Sequence, residues 1–318
     1  MSNQKLHHAI LGTDFSKAVA EIIDNSEMVK TLGIEKISLV HVLNLRDMIS
    51  VERFTIEGLG KKLTEQKELL QTKGFEVESE MIFGIPYVEL EKKRREKGAQ
   101  IIIVGSHGRT GSSSTIGGTI ADVLQNLKAP VLVVPLEKKE AVQPELPVKN
   151  FYQYEKILLE LQKHEPGWNL KCNQLVHHIS LPTDFSDFSE EAFQYLKEME
   201  VKLPKVTLLH VQDEIKIGKH LDFKLEEFNK IDTQRLIRLK KEFQSAHPET
   251  EVQIELLYGK PTQVILNFIK EYEVSLTVMG SQGRGFFEGM FMGSVSNQVA
   301  RHSSSNVLII PLPDNRTE

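Results

Sequence analysis

Along this chain the apolar positions switch between two spacings: the continuous or alternating runs of strands and the three-to-four-residue recurrence of helices. A short apolar strand ends at Gly12, and Asp14 or Ser16 stands where the next helix needs an N-cap. Lys36 to Leu43 is rich in β-formers, a helix-like stretch then reaches Lys73 before Gly74, and Phe75 to Phe83 alternates as a strand does. Pro86 opens a charged helix that ends near Gly98. Ile101-Ile102-Ile103-Val104 is a continuous apolar run, the mark of a strand covered on both faces of a parallel sheet. A Gly/Ser-rich loop, a helix from about Gly118 and a strand from Val131 to Val134 complete the unit. Five strands with helical crossovers predict a doubly wound parallel α/β sheet.

The unit occurs twice. Thr13-Asp14-Phe15-Ser16 returns as Thr183-Asp184-Phe185-Ser186, and Leu39-Val40-His41-Val42 as Leu208-Leu209-His210-Val211. Gly84-Ile85-Pro86 returns as Gly259-Lys260-Pro261, and Gly105-Ser106-His107-Gly108-Arg109 as Gly280-Ser281-Gln282-Gly283-Arg284. The order is kept and the separation is nearly constant, so one domain has been duplicated. The expected boundaries are 1–137 and 174–318, joined by a linker over 138–173. Within the linker Phe151, Tyr154, Ile157, Leu158 and Leu161 recur at helical spacing, which predicts a short amphipathic helix serving as a connector or as a docking element for a partner.

Composition narrows the class. At 318 residues, 40% hydrophobic and 26% charged, the chain has an ordinary globular balance for two domains. The 39 Lys and Arg against 44 Asp and Glu give a net charge of -5, without the clustered cations that nucleic acid requires. The single Cys172 allows no intramolecular disulfide, no run reaches the roughly 18 apolar residues of a membrane span, and the first residues lack a signal peptide's apolar core. A soluble cytoplasmic protein with no nucleic-acid or membrane partner is expected.

In such sheets ligands bind beyond the carboxyl ends of the strands, where the strand order reverses. There the sequence places Gly105-x-x-Gly108, nine residues, then Gly118-Thr119, and again Gly280-x-x-Gly283, nine residues, then Gly293-Ser294. Glycines permit close backbone approach and positive φ, and the following helix offers free N-terminal amides. Thr119 and Ser294 add hydroxyl donors. The pattern predicts a phosphate cradle that needs no lysine. Asp14 and Asp184 could cap helices, contact a ligand, or both. His41 and His210 read as satisfied core histidines. Adjacent strand residues face opposite sides, so neither His7-His8 nor His177-His178 chelates a metal easily. Arg109 and Arg284 could reach a terminal phosphate or simply be solvated, and Lys92-Lys93-Arg94-Arg95 reads as a solvated helix face. The loop covers differ: Ser112, Ser113, Ser114 and Thr115 in the first half, Phe286, Phe287, Met290, Phe291 and Met292 in the second. No P-loop, no Gly-x-Ser-x-Gly elbow and no duplicated catalytic acid is found, so binding is supported more strongly than turnover.

These motifs resemble those of the universal stress protein family: a tandem chain with two domains of its ATP-binding subclass. The resemblance covers nearly everything except the linker, and it implies an adenine-nucleotide α-hydrolase-like, Rossmann-like fold holding ATP or AMP in each domain. By it, Asp14 and Asp184 lie beside adenine and ribose, and Val42 and Val211 meet the adenine through their backbones. Gly105, Gly108, Gly118 and Thr119, with Gly280, Gly283, Gly293 and Ser294, hold ribose and phosphates, through which Mg2+ can be carried. Val295 matches the residue after the serine, whereas Ile120 departs from it. The implied role is a nucleotide-responsive stress or regulatory binding module; the alternative is a slow ATP hydrolase or nucleotidyl-transfer enzyme of related fold. The two halves are expected to pair through Val131 to Val134 and Val307 to Ile310 as an internal dimer, and a homodimer or an unnamed protein partner is compatible with this.

Overall fold

The computed structural model describes residues 6–43, 56–106, 118–126, 128–138, 168–170, 175–213, 225–283 and 292–313. In the first half, β1 (His8–Thr13), α1 (Lys17–Asp24), a 3-10 helix (Ser26–Leu32), β2 (Lys36–Leu43), α2 (Ile56–Thr72), β3 (Glu76–Phe83), α3 (Pro86–Lys97), β4 (Ile101–Gly105), α4 (Gly118–Gln125) and β5 (Val131–Val134) follow in order. Two short strands, β6 (Leu136–Lys138) and β7 (Trp168–Leu170), pair antiparallel at either end of the connector. The second half runs β8 (Ile179–Pro182), α5 (Asp187–Glu198), β9 (Lys205–Asp213), α6 (Leu225–Ala246), β10 (Glu251–Gly259), α7 (Pro261–Glu271), β11 (Leu276–Gly280), α8 (Ser294–His302) and β12 (Asn306–Ile310). The segment read as an amphipathic linker helix, and Cys172, lie outside the described residues.

Local chemistry explains the boundaries. Pro86 and Pro261 open α3 and α7, where a missing N–H costs nothing. Gly98 closes α3 in the left-handed region at φ 65°. Strands β4, β5, β8, β11 and β12 are apolar runs buried along almost their whole length, as central strands between two helix layers must be.

Each half is a five-stranded parallel sheet, and the two join edge to edge in the order β10-β9-β8-β11-β12-β5-β4-β1-β2-β3. The junction is antiparallel: Val307 opposes Val133, Leu308 opposes Leu132, and Ile309 opposes Val131. All six are at most 1% exposed. Pairing these apolar edges removes the open ladder each would otherwise present. The outer strands β3 and β10 alternate with charge instead. Lys36 reaches Glu76 at 2.7 Å and Glu78 at 2.6 Å, Lys97 reaches Glu78 at 2.8 Å, and Lys93 reaches Glu80 at 2.8 Å. Those two lysine contacts hold the Glu78 carboxyl down at about 2. The Lys92–Arg95 run is paired along the same helix, with Glu91 accepting from Arg94 and Arg95.

His8 and His178 occupy equivalent buried places beneath the sheet. His8 Nε2 lies 2.8 Å from Ser38 Oγ, while His178 bonds Thr207 Oγ1 at 2.9 Å and the Tyr272 carbonyl at 3.0 Å. Burial depresses both imidazole pKa values below the ordinary 6.5. Their stabilising contribution is therefore complete above that pH and is lost as pH falls, because the unfolded chain binds protons the folded chain resists. Melting is expected at lower temperature near pH 5.5 than near pH 7.5, and His178→Gln should narrow the gap. A melting temperature that rises on acidification would contradict this account.

Candidate functional site

Both halves build the same turn after their first strand. Thr13 Oγ1 accepts from Phe15 N at 3.1 Å and Thr183 Oγ1 from Phe185 N at 3.0 Å. Asp14 Oδ1 accepts from Ser16 N at 2.9 Å, and Asp184 Oδ1 from Ser186 N at 3.1 Å and Ser186 Oγ at 2.5 Å. These bonds hold Phe15 and Phe185 at φ 59°, the left-handed region that a bulky residue seldom occupies. The helix caps are Ser16 and Ser186, which accept from Val19 N and Ser189 N. The aspartates make the turn and leave capping to the serines.

The histidines of the second strands brace this turn. His41 and His210 are buried and donate from Nδ1 to the carbonyls of Thr13 and Thr183, each at 2.7 Å. Their rings pack on Phe15 and Phe185 at centroid distances of 4.2 and 4.6 Å. They are satisfied core histidines with a positioning task.

In the second half a cleft of about 1220 Å³ opens over the carboxyl ends of β8, β9 and β11. All seven candidate residues of that half line it, from Asp184 and Val211 to Ser294 and Val295. Three stretches far apart in sequence thus meet at one place. The glycines serve by closeness rather than by unusual torsion. Positive φ was expected of them, but neither Gly280 nor Gly283 adopts it, and Gly293 sits at φ -69°. A Cβ on Gly283 would lie 2.5 Å from Asp184 Oδ2, so this glycine lets the loop settle on the aspartate. A Cβ on Gly280 would overlap the backbone carbonyl of Phe188 in α5, so Gly280 is required for packing of strand against helix. Gly293 is the N-cap of α8 and supplies no side-chain hydrogen bond to it, in contrast to the serine caps of α1 and α5. The first amides of α8 therefore face the cleft with the helix dipole behind them, which suits an anion.

Sequence reasoning missed the wall contributed by α6. Asp232 and Arg235 line the cleft beside His210 and Gln212. Asp232 receives Gln212 Nε2 at 3.0 Å and Arg235 Nη1 at 3.2 Å, and stands 3.5 Å from His210 Nε2. The Arg235 guanidinium lies 5.2 Å from the Phe185 ring centroid. Arg301, on α8, also lines the cleft. No motif flagged these residues, because Asp232 and Arg235 read as two more charges on a polar helix face.

In the first half, Asp14 lies in the turn, Val42 packs partly buried on the core, Gly105 ends β4 opposite Val134, and Gly118 and Thr119 open α4. Gly108, Arg109 and the serine-rich loop lie outside the described residues, as do Arg284 and the apolar loop residues up to Phe291. Met292 is described and lines the cleft. Among the described residues, no group of three His, Cys, Asp or Glu side chains could hold a metal ion, and no helix is long and apolar enough to cross a membrane.

Two parallel α/β halves with a glycine-rich strand-end cleft define the class of protein. The universal stress protein family model matches residues 9–135 and 176–311, and the chain belongs to that family. It is 32% identical over 146 residues to the universal stress protein MJ0577 of Methanocaldococcus jannaschii, covering 38% of this chain and 90% of that protein. Against a universal stress protein of Mycolicibacterium smegmatis the identity is 25% over 220 residues, 67% of this chain and 62% of that one. The crystal structure of a universal stress protein from Archaeoglobus fulgidus shares the fold along 97% of this chain and 99% of that chain, with a TM-score of 0.67 at 21% identity.

Proposed function

We propose that the chain is an adenine-nucleotide-binding stress-response module that holds ATP or AMP in the cleft of its second half and in the corresponding place of its first. The observation that carries this reading is the convergence of Asp184, Val211, the glycine loop and the uncapped start of α8 on one cleft. The α8 amides and the Ser294 hydroxyl would receive phosphate oxygens, and Asp184 would accept from ribose hydroxyls. Gly283 would keep the loop low enough for both contacts. Any Mg2+ would be carried on the phosphates rather than by a protein cage. With no duplicated catalytic acid in the sequence, the chain's residues are suited to binding and orienting a nucleotide rather than to activating water against it.

A ligand that binds only the folded state stabilises it by mass action, by about 2.7 kcal/mol at a hundredfold excess over Kd. Nucleotide-free protein is therefore expected to melt several degrees higher in millimolar ATP or AMP. No shift with either nucleotide would refute the reading.

A further inference from the structure

Side chains alternate along β9, so His210 and Gln212 face α6 while Val211 faces the opposite layer. Gln212 is buried and lines the cleft one residue beyond Val211. Its amide nitrogen lies 3.0 Å from Asp232 Oδ2. An ionised carboxylate can only accept, so the NH2 end belongs to Asp232 and the amide cannot turn over. Asp232 is itself fixed by Arg235 and by the proximity of His210. With the nitrogen turned to Asp232, the carbonyl oxygen is the acceptor that this cleft-lining amide can offer a ligand.

The duplication provides an internal control. Leu43 pairs with Phe83 just before Gly84, as Gln212 pairs with Tyr258 just before Gly259. Leu43 is thus the counterpart of Gln212, and it is equally buried. The buried Leu63 and Leu70 of α2 match Leu236 and Phe243 of α6 in spacing, which sets Leu59 at the place of Asp232. At these two positions the first half carries leucines where the second carries an oriented acceptor and the carboxylate that holds it.

We propose that Gln212, positioned by Asp232, is a specificity-determining residue of the second cleft: it accepts a hydrogen bond from the exocyclic amine of a 6-aminopurine nucleotide. The inference rests on the nucleotide reading above and adds a difference between the halves. A 6-oxopurine would turn an acceptor toward the Gln212 oxygen, leaving two acceptors opposed and one donor site lost. Among the described residues of the first half, Leu43 puts no side-chain acceptor at that position.

Titration of nucleotide-free chain with ATP and with inosine triphosphate, which differ at the 6-position, tests the proposal. The second-half component is the one lost in Gly283→Val. That component should favour ATP by about tenfold or more. Gln212→Leu, which installs the residue the first half already buries, should cut that ratio severalfold, chiefly through weaker ATP binding. Asp232→Asn, which keeps an oxygen for the Gln212 amide, should retain most of the preference, and Asp232→Leu should lower it as Gln212→Leu does. Equal binding of the two nucleotides by the wild type, or an unchanged ratio in Gln212→Leu, would overturn the proposal. Failure of either nucleotide to bind the wild type would instead refute the nucleotide reading, and the proposal with it.

Discussion

Lysine in place of Leu308 is expected to destabilise the chain by more than about 4 kcal/mol and to leave most of it insoluble. Truncating a buried leucine alone costs about 2–5 kcal/mol, and an unpaired charge left in an apolar interior adds several more. Leu308 is fully buried in β12 and sits directly opposite Leu132 of β5, at the centre of the antiparallel seam. The loss therefore falls on both cores at once, since Leu132 and Leu308 belong to one continuous apolar cluster. A total of this size is a large part of the 5–15 kcal/mol that folded domains possess. The milder pair Leu132→Ala and Leu308→Ala separates the seam from ordinary core damage. Residues in contact couple by about 0.5–3 kcal/mol in a double-mutant cycle, so the double variant should lose less than the sum. Strict additivity would show that the two leucines do not share a seam in solution. Small-angle scattering from the wild type should show a single compact particle, and two halves at variable separation would contradict the ten-stranded sheet.

Gly283→Val is expected to weaken nucleotide binding in the second half by about a hundredfold or more while leaving the chain folded. The first added carbon would lie 2.5 Å from Asp184 Oδ2, and valine brings two further methyl groups. Asp184 cannot retreat, because its other oxygen is held by the amide and hydroxyl of Ser186. The backbone at Gly283 must shift instead, which under the proposed function displaces the contacts offered to the phosphates. Gly280→Ala should fail in the opposite way. Its Cβ would meet the backbone of α5, so overpacking of about 1–3 kcal/mol should appear as lower stability before any change in binding. A Gly283→Val chain that folds and binds as well as the wild type would remove the phosphate from this loop.

The strands and crossovers were legible because each is a local pattern. The Ile101–Val104 run, the prolines at 86 and 261 and the glycines at 74 and 98 mark elements without reference to distant residues. The meeting of Asp184 with Gly283 was legible only as resemblance, since nearly a hundred residues separate them. Three features were not legible. The left-handed Phe15 and Phe185 depend on a threonine and an aspartate folding back on the turn, and phenylalanine itself gives no hint of positive φ. The role of Gly280 depends on the carbonyl of Phe188, a tertiary neighbour with no sequence signal. The α6 wall escaped notice because Asp232 looks like any surface residue of a charged helix until Gln212 and His210 are found beside it. Aligning the halves at Leu43 and Gln212 was the one signal that could have pointed there.

Binding of an adenine nucleotide in the second-half cleft is tested most directly by equilibrium dialysis of nucleotide-free chain against labelled ATP, wild type beside Gly283→Val. Saturable uptake by the wild type, with one equivalent per chain lost in the variant, is the predicted result. No saturable uptake, or the same uptake by both proteins, would contradict it.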